Sequence, residues 1–544
     1  MHFGSFAFFF CSFLINLNRF NVRAEVFTAL AELEELLQTE SVLINALESF
    51  IQTHEQKLAI LRRYAEAYQN QHDIAAADVQ VYVSNPINAY LLVKRLTTDW
   101  KEVQTLIETN AGAEVLHNLT TYRQHLKFPT DEDLNGAAVA LTRLQDTYKL
   151  DTSSLARGEL NGVKYSTELN AADCFELGRQ SYNNEDYYHT QLWMREADVR
   201  LGREVNETVH RSDILEYLAF STFKQGNVHL ALDLTNKLLE LVPTHPRATG
   251  NKVYYENSIE KTNLEQRKGD DGTDQVAEVI THPAPLHPDP HRHLYEQLCR
   301  GEEMLESHLA AELKCFYYKP KHNKFLQLAP FKVEEAYKSP RILIFYDVMS
   351  DSEIALIKRM AQPRFKRATV QNSQTGELET AQYRISKSAW LKDNEHKHIA
   401  TVSRRVQDMT GLTMKSAEEL QVVNYGIGGH YEPHYDFARK EETNAFKSLG
   451  TGNRIATVLF YMSDVPQGGA TVFPNIKVAL WPTKGAAAFW FNLHPDGEGD
   501  KRTRHAACPV LAGSKWVSNK WIHEREQEFR RPCDLIQTPS DLTA

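Results

Sequence analysis

Cysteine is scarce in this chain, with six residues among 544, and no two of them have C-x-x-C spacing. Zinc binding through thiolates is therefore not expected. No basic stripe interleaved with aromatic residues is present, and the net charge of −10 argues against general nucleic-acid binding. No stretch beyond the first residues is long and apolar enough to cross a bilayer, so no membrane span is predicted. The C-terminal letters SDLTA are not a retention signal.

The N-terminus opens with an apolar run, MHFGSFAFFFCSFLI, which has the length of a signal-peptide core. Val22 and Ala24 occupy positions −3 and −1 of a cleavage site, although the run lacks a preceding Lys or Arg. We predict a signal peptide over residues 1–24; the alternative is a buried N-terminal helix. Asn118 in NLT and Asn206 in NET are then glycosylation acceptors.

The remaining cysteines fit an oxidising compartment. Two pairs lie close in sequence, Cys299 with Cys315 and Cys508 with Cys533, and they predict two short-range disulfides. Cys174 is left over on an apolar helical face, so we expect a buried free thiol there.

The region after the signal peptide carries a heptad pattern. Its apolar members are Leu33, Leu37, Ile44, Leu47, Ile51, Leu58 and Leu61. Such a stripe predicts a dimerising coiled coil, and the alternative is a helix packed within its own bundle. We assign residues 25–150 to a helical dimerisation domain.

An internal repeat follows, in which Gly178 aligns with Ala219 and Tyr182 aligns with Phe223. Small residues at helix crossings, and a proline after the second helix, are typical of tetratricopeptide repeats. We therefore predict a peptide-substrate-binding domain over residues 151–259, since stacked helix pairs form a concave binding surface.

Aromatic residues concentrate in this repeat. They are Tyr182, Tyr187, Tyr188, Tyr217, Phe220, Phe223, Tyr254 and Tyr255. Tyrosine rings stack on proline rings of polyproline II ligands, while their hydroxyls bond peptide carbonyls. Tyr182 and Phe223 occupy repeat positions and are expected in the core, whereas Tyr217 and Tyr254 are predicted to contact a ligand. The alternative is that all of them belong to the core.

Three further segments complete the chain. Residues 260–292 form a charged, proline-rich linker, and residues 293–338 form a connecting segment that contains the first cysteine pair. In residues 339–544 a strand is followed by a helix capped at Ser350 or Ser352, and then by strand-rich sequence.

The stretch HYEPHYDFAR places His434 and Asp436 at positions i and i+2, which share one face of a strand. A histidine and a carboxylate on one face are two-thirds of a facial triad for non-haem Fe(II). The same spacing in His287-Pro-Asp289 and His494-Pro-Asp496 is less convincing, because proline is hard to place in a central strand. The alternative for His434 and Asp436 is a surface pair without function.

A third ligand is available in KRTRHAACPVLAGSKWVSNKWIHE, where His505 begins a strand-like run and Lys515 follows ten residues later. A facial triad leaves three coordination positions open. A 2-oxo acid fills two of them and leaves one for dioxygen. Lys515 is suited to the far carboxylate of such an acid, because a buried lysine without a partner would be costly.

Nearly the whole chain resembles the α subunit of collagen prolyl 4-hydroxylase. The shared motifs include EELQVVNYGIGGHYEPHYDFARK, GTGNRIATVLFYMSDVPQGGATVFP and EFRRPC. The resemblance implies a multidomain chain: an all-α dimerisation region, a tetratricopeptide-like repeat domain and a C-terminal double-stranded β-helix (jelly-roll) dioxygenase domain. The two short-range disulfides match the family's pattern. The chain departs from the family at Asn257, where a tyrosine is usual.

The resemblance also implies roles for individual residues. His434, Asp436 and His505 would bind Fe(II), and Lys515 would hold the C-5 carboxylate of 2-oxoglutarate. His523 would lie beside this cosubstrate, and Tyr425 would line the same pocket. Arg247 matches a peptide-contacting arginine, which joins Tyr217 and Tyr254 as substrate-binding residues.

The activity implied is 4-hydroxylation of proline in collagen-like X-Pro-Gly sequences. It consumes O2 and 2-oxoglutarate, yields succinate and CO2, and uses L-ascorbate to rescue oxidised iron. The implied assembly is an α2β2 tetramer with protein disulfide isomerase in the endoplasmic reticulum lumen, where the partner carries the retention signal. Two alternatives stay open: a related dioxygenase acting on lysine or on non-collagen proline-rich proteins, and a non-catalytic collagen-binding scaffold.

Overall fold

The computed structural model describes residues 26–266, 290–320, 323–371, 377–442, 445–447 and 449–534. The predicted signal peptide and most of the predicted linker lie outside the described residues. The chain divides into two compact units. One contains residues 31–130, and the other joins the residues up to Leu30 with those from Asp131 onwards.

The smaller unit is helical. Its helices are α1 (Leu30–Ala77), α2 (Val79–Ser84), α3 (Pro86–Lys94), α4 (Trp100–Glu108) and α5 (Ala113–His125). Asn85 caps α3 by accepting hydrogen bonds from two backbone N–H groups of its first turn. Lys57 on α1 donates to the carbonyls of Ile107 and Thr109 at the end of α4, where cations are favoured.

The predicted heptad stripe lies on α1 and is largely open to solvent. Five of its members are between 46% and 66% exposed: Leu37, Ile44, Leu47, Ile51 and Leu58. A row of apolar side chains that the unit itself leaves uncovered favours the coiled-coil interpretation over packing in an internal bundle.

The larger unit begins with helices of the repeat region. They are α6 (Asp131–Tyr148), α7 (Thr152–Ala156), α8 (Ala171–Asn183), α9 (Tyr187–Leu201), α10 (Arg211–Lys224), α11 (Val228–Leu241) and α12 (Pro246–Gln266). A capping box between Asn170 and Asp173 starts α8. The predicted boundary at residue 150 assigns α6 to the N-terminal domain, whereas α6 belongs to the larger unit.

The predicted repeat is present as the hairpins α8–α9 and α10–α11. Gly178 lets the helices of the first hairpin approach, because a Cβ at this position would lie 2.9 Å from Cε of Met194. Trp193 on α9 is fully buried, and its Nε1 donates to Gln145 on α6 at 2.9 Å. The small residue at the helix crossing is therefore confirmed, and α6 is tied to the repeat.

Strands dominate the rest of the larger unit. The strands are β1 (Glu159–Leu160), β2 (Val163–Lys164), β3 (Cys315–Tyr318), β4 (Phe331–Lys338), β5 (Arg341–Tyr346), β6 (Lys366–Arg367), β7 (Thr369–Gln371), β8 (Leu378–Thr380), β9 (Lys387–Leu391), β10 (Leu420–Tyr425), β11 (Tyr431–His434), β12 (Arg454–Tyr461), β13 (Gln467–Gly468), β14 (Thr471–Phe473), β15 (Val478–Leu480), β16 (Ala487–Phe491), β17 (His505–Ala507), β18 (Val510–Ala512) and β19 (Lys515–His523). The helices are α13 (Arg292–Cys299), α14 (Ser307–Ala310), α15 (Asp351–Ala361) and α16 (Lys397–Thr410). Ser350 caps α15 and forms a capping box with Glu353, as one of the two predicted caps.

Two antiparallel sheets form the body of this region. The larger has the strand order β3-β4-β5-β16-β12-β19-β10-β9-β6, and the smaller has the order β11-β17-β14-β15. Side chains of both sheets share one apolar core, among them Val423, Tyr461 and Val517 from the larger sheet and Phe473, Leu480 and Ala507 from the smaller. Two packed antiparallel sheets agree with the predicted jelly-roll.

Helix α6 packs on the outside of the smaller sheet. Leu144 and Tyr148 of α6 share a buried cluster with Ala506 and Cys508 around β17. The Tyr148 hydroxyl donates to the carbonyl of Pro509 at 2.6 Å. These contacts join the helical part of the larger unit to the strand that begins with His505.

The predicted disulfide pairing is wrong. Cys299 at the end of α13 is bonded to Cys508, with their Cα atoms 5.5 Å apart. Cys315 and Cys533 are exposed free cysteines. Nearness along the chain is a poor guide here, because α13 folds against β14 and β17 while β3 lies at the edge of the larger sheet. The prediction that Cys174 is a buried free thiol is confirmed.

Two other predictions concern the surface and the membrane. Asn118 on α5 and Asn206 after α9 are exposed, and their glycosylation stays a prediction. Across the described ranges, no helix has both the length and the apolarity needed to cross a membrane.

Candidate active site

His434, Asp436 and His505 form a cluster that could hold a metal ion, and it is the only such cluster among the described residues. His434 at the end of β11 pairs directly with His505 at the start of β17. Nε2 of His434 lies 3.8 Å from one carboxylate oxygen of Asp436, and Nε2 of His505 lies 3.6 Å from the other. The fold therefore assembles the three predicted ligands.

Backbone carbonyls orient both imidazoles. Nδ1 of His434 donates to the carbonyl of Glu432 at 2.7 Å, and Nδ1 of His505 donates to that of Thr503 at 3.0 Å. A carbonyl can only accept, so in the neutral form of each ring the hydrogen is on Nδ1 and the lone pair of Nε2 is directed at the cluster. Burial, helped by the neighbouring His505, lowers the pKa of His434 well below its ordinary value, as metal binding requires.

Asp436 is held in its ionised form by its neighbours. Burial alone would raise its pKa, but the two histidines, Arg454 and a hydrogen bond from Thr457 lower it to about 2. One carboxylate together with two imidazoles is the donor set of non-haem Fe(II) sites.

A chain of buried hydrogen bonds supports the Asp436 carboxylate. Thr457 Oγ1 donates to Asp436 Oδ2 at 2.7 Å, and Asn492 Nδ2 donates to Thr457 Oγ1 at 2.9 Å. Trp490 Nε1 then donates to Asn492 Oδ1 at 2.9 Å. The three supporting residues lie on the adjacent strands β12 and β16 or directly after them, so the larger sheet orients a ligand of the cluster.

An inner pocket lies beside the cluster. Besides the three ligands, its polar lining consists of Arg384, Tyr425, Tyr431, Thr471, Lys515 and Asn519. Lys515 begins β19 and Tyr425 ends β10, and the two residues pair directly in the sheet. The predicted pocket positions of Lys515 and Tyr425 are therefore observed.

Lys515 is the unusual group of this pocket. Its side chain is 1% exposed, and its Nζ has no hydrogen-bond partner among the described residues. Burial lowers its pKa to about 7, and burial raises the pKa of Tyr425 to about 12. A buried ammonium with no acceptor is costly, so the pocket is suited to a ligand that brings its own carboxylate.

A larger groove also borders the cluster. It has a volume of about 590 Å³, and it shares five lining residues with the inner pocket: Arg384, Tyr431, His434, Asp436 and Trp521. His434 and Asp436 therefore line both a small inner pocket and a larger groove. A small cosubstrate in the pocket and a larger substrate in the groove could meet at these two ligands.

His523 does not line the inner pocket, contrary to expectation. It shares a strand face with Lys515 and Trp521, but it lies eight residues beyond Lys515, or about 26 Å along β19. Its Nε2 lies 2.9 Å from Glu418, which also accepts from Arg454. Glu418 and Arg454 line the groove, so His523 supports the groove wall.

The repeat domain brings its aromatic residues into one strip. Ring centres run from Tyr217 to Tyr182 at 4.9 Å, on to Phe220 at 5.8 Å and to Phe223 at 6.3 Å, and end at Tyr254 at 5.5 Å. The two predicted ligand contacts therefore form the ends of a continuous surface. The rings expected in the core, Tyr182 and Phe223, are only partly buried and lie within that strip.

Arg247 lies in the same repeat and is 72% exposed at its side chain. Its Nε is 2.6 Å from a carboxylate oxygen of Glu216, the residue that precedes Tyr217. An exposed arginine beside the aromatic strip is available to peptide carbonyls.

Three family models match successive parts of the chain. The prolyl 4-hydroxylase alpha-subunit N-terminal region matches residues 29–162, the prolyl 4-hydroxylase peptide-substrate-binding domain matches residues 171–261, and the 2OG-Fe(II) oxygenase superfamily matches residues 420–523. The chain is 48% identical to prolyl 4-hydroxylase subunit alpha-1 of Bos taurus over 513 residues, which cover 94% of this chain and 96% of the relative. The chain belongs to the prolyl 4-hydroxylase alpha-subunit family.

A second relative agrees with this membership, and one solved structure is also similar. Prolyl 4-hydroxylase subunit alpha-2 of Caenorhabditis elegans is 50% identical over 515 residues, or 94% of each chain. A solved viral collagen prolyl hydroxylase from Paramecium bursaria Chlorella virus-1, in complex with 2OG, is 24% identical and covers 33% of this chain and 94% of its own. Its TM-score to this chain is 0.27.

Sequence reasoning missed several residues of the alpha-subunit site. Thr457, Asn492 and Trp490 support Asp436, and Arg384 borders both cavities. Arg384 donates to the carbonyl of Thr369, and its guanidinium lies 4.7 Å from the Tyr431 ring centre. A pattern of metal ligands carries no signal for such residues, because they lie far from the ligands along the chain.

Proposed function

We propose that this chain is the catalytic subunit of a prolyl 4-hydroxylase, which converts proline to 4-hydroxyproline in collagen-like X-Pro-Gly sequences. The observation that carries the proposal is the unpartnered buried Nζ of Lys515 in a pocket that also contains a His-Asp-His cluster. A 2-oxoglutarate dianion supplies a chelating 2-oxo acid for the metal and a far carboxylate for the lysine. The family models and relatives support the same reaction.

The residues present fit an Fe(II) ion. His434 and His505 would bind it through Nε2, and Asp436 would bind it through a carboxylate oxygen. Fe(II), when bound with 2-oxoglutarate and O2, supplies the oxidative decarboxylation to succinate and CO2 and the hydroxylation of a C–H bond. L-Ascorbate is the proposed reductant for iron oxidised without substrate turnover.

Residues of the chain provide binding and orientation for this chemistry. Lys515 pairs with the C-5 carboxylate of 2-oxoglutarate, and the Tyr425 ring covers the lysine. Apolar side chains such as Leu459, Val517 and Trp490 keep water away from the inner pocket. His523, through Glu418 and Arg454, maintains the groove in which the target proline approaches the metal.

A second binding surface would hold the rest of a long substrate. The aromatic strip between Tyr217 and Tyr254 matches the repeating ring surface of polyproline II, and Arg247 offers donors to its carbonyls. Binding here raises the local concentration of prolines at the groove without touching the reacting atoms.

The proposed assembly and location follow from the family and from the N-terminus. We propose an α2β2 tetramer with protein disulfide isomerase in the endoplasmic reticulum lumen, and self-association of two chains through the exposed stripe of α1. Co-purification of the isomerase, and cleavage of the first 24 residues during expression in a secretory host, test these points.

The decisive experiment measures 2-oxoglutarate decarboxylation by the coexpressed complex, with and without (Pro-Pro-Gly)n. We expect peptide-stimulated turnover and 4-hydroxyproline in the product by mass spectrometry. Stimulation by lysine-containing peptides instead would indicate the related lysyl activity. Peptide binding with no decarboxylation under any condition would indicate a non-catalytic scaffold.

A further inference from the structure

A short segment ahead of α1 is built into the larger unit beside the active-site strands. This N-terminal segment, Val26–Ala29, has Phe27, Thr28 and Ala29 buried. The backbone N–H of Gly426 donates to the carbonyl of Thr28 at 3.2 Å, and that of Ile427 donates to the carbonyl of Phe27 at 3.3 Å. The segment is thus attached by main-chain hydrogen bonds to the glycine loop, Gly426–Gly429.

Glycines on two elements make room for this segment. A Cβ at Gly426 would lie 2.0 Å from the carbonyl oxygen of Phe27, and a Cβ at Gly136 on α6 would lie 2.1 Å from its ring. Real Cβ atoms do not approach other atoms so closely, so any larger residue at either position displaces Phe27 or its own backbone. Phe27 is therefore enclosed between the glycine loop and α6.

The glycine loop has two further contacts. Gly428 has a φ of +55°, and a Cβ there would lie 2.8 Å from the carbonyl oxygen of Ala140 on α6. The backbone N–H of Val510 on β18 donates to the carbonyl of Gly429 at 3.2 Å. The loop is therefore in contact with three elements: α6, β18 and the N-terminal segment.

The glycine loop connects the two halves of the inner pocket. Tyr425 immediately precedes it and pairs with Lys515 in the larger sheet. Two residues after it, Tyr431 begins the strand of the smaller sheet that ends at His434. The position of the loop therefore sets the spacing between the lysine end and the metal end of the pocket.

We propose that the N-terminal segment is a positioning element for cosubstrate binding. Phe27, seated between α6 and the glycine loop, keeps Tyr425 and His434 at the spacing at which one 2-oxoglutarate molecule reaches both the metal and Lys515. The proposal rests on the use of 2-oxoglutarate proposed above. Phe27 touches no reacting atom, and small displacements of a positioned group are costly to a bridging ligand.

The first test is Phe27→Ala in the full chain. We expect faster hydrogen exchange in peptides that contain Gly426 and Ile427, because the segment, without its anchoring ring, no longer holds its backbone carbonyls against these N–H groups. Isothermal titration of the Mn(II)-loaded protein should show 2-oxoglutarate binding weakened at least about threefold. In turnover assays the apparent KM for (Pro-Pro-Gly)n should be unchanged. This split between cosubstrate and peptide separates positioning from general damage.

A second route displaces the same ring from the opposite side. Gly136→Ala places a methyl group where the Phe27 ring lies, and alanine within a helix favours folding. We expect it to reproduce the effects of Phe27→Ala. The matched control is Gly250→Ala on α12, where a Cβ would meet nothing within 4 Å, and it should leave 2-oxoglutarate binding unchanged.

The double variant makes the test specific. Phe27→Ala with Gly136→Ala should bind 2-oxoglutarate as Phe27→Ala alone does, because the ring that clashes is absent. Phe27→Leu retains an apolar side chain, so its 2-oxoglutarate affinity should be close to that of the unmodified protein. If Phe27→Ala fails to fold, the comparison of Phe27→Leu with Gly136→Ala tests the proposal in its place. Unchanged loop exchange in the folded variants would overturn the proposal, as would faster exchange with unaltered 2-oxoglutarate affinity. If the unmodified chain itself shows no 2-oxoglutarate turnover, the proposed function is contradicted instead.

Discussion

Lys515 stands opposite Tyr425 across the β10–β19 ladder, with its Nζ 5.1 Å from the centre of the tyrosine ring. The ring face attracts a cation only weakly compared with a carboxylate. Burial is the sole resolved cause that lowers the pKa of Lys515, to about 7. In the free pocket Lys515 therefore lacks an anionic partner, and binding of a dicarboxylate would favour its protonated form.

Binding of 2-oxoglutarate is predicted to take up a proton. At about pH 8 the free lysine is mostly neutral, and a bound carboxylate raises its pKa, so close to one proton enters per ligand. Titration calorimetry in buffers of different ionisation enthalpy measures this uptake. Lys515→Met should abolish it and weaken binding, and Lys515→Arg should retain part of the affinity, limited by its bulk and fork geometry. The same uptake in Lys515→Met would contradict the assignment.

Each metal ligand is predicted to be essential. His434→Ala, Asp436→Ala and His505→Ala should each lower turnover by at least about a hundredfold, because one of only three protein ligands is lost. Circular dichroism and (Pro-Pro-Gly)n binding should be unchanged. The matched control is His494→Ala, which removes the histidine of a second His-x-Asp pattern outside the inner pocket and the groove. Near-normal turnover in a ligand variant would show that the triad is wrongly assigned.

The hydrogen bond from Thr457 to Asp436 is predicted to tune metal binding. Thr457→Val keeps the shape of the side chain but removes the donor, and it leaves Asn492 Nδ2 without its acceptor. We expect Fe(II) affinity and turnover to fall about 10- to 100-fold. Thr457→Ser, which retains the hydroxyl, should stay close to the unmodified protein. The Fe(II) dependence of decarboxylation measures both variants, and equal values for them would rule out this role.

Much of the active site could be predicted from the sequence, because several of its functional residues are separated by only a few positions along the chain. His434 ends β11 and Asp436 follows two residues later, just beyond the strand, and Lys515 and His505 each begin a strand. Helix patterns were equally informative, since Gly178 and the cap at Ser350 are local features. Local patterns predict well where the physical cause is itself local.

Features that depend on distant contacts could not be predicted in this way. Cys299 pairs with Cys508 because α13 packs on the smaller sheet, which no cysteine spacing reveals. His523 shares a strand face with Lys515, but β19 extends beyond the inner pocket, so His523 does not line it. The support of Asp436 by Asn492 likewise depends on the pairing of β12 with β16.

His189 is predicted to make stability depend on pH. It is 2% exposed, with Nδ1 2.7 Å from Asp186 and Nε2 3.3 Å from Asp146. Burial alone would lower its pKa, but the two carboxylates raise it to about 9, above the ordinary 6.5. The resulting stability is fully present below about pH 6.5 and is lost as the pH rises through about 9.

The expected loss in the free energy of unfolding is about 1–3 kcal/mol, discounted because both carboxylates are partly exposed. Thermal unfolding of the full chain across this pH range measures it. His189→Gln should be less stable near neutral pH and should show a flatter pH dependence. Parallel curves for the two proteins would contradict the role of this histidine.

Tyr254 and Tyr217, the two ends of the aromatic strip, are predicted to differ in how their replacement by alanine affects stability. Tyr254 is 59% exposed, so Tyr254→Ala should weaken (Pro-Pro-Gly)n binding with little change in stability. Tyr217 packs edge-on against Phe175 and Tyr182, with ring centres 5.5 Å and 4.9 Å away, so Tyr217→Ala should lower both peptide affinity and stability. The KM for long peptides should rise in both variants while kcat changes little, because binding at the strip acts equally on ground and transition states. Peptides too short to span the strip and the groove should be affected less. An unchanged KM for long peptides in Tyr254→Ala would show that Tyr254 does not contact the peptide.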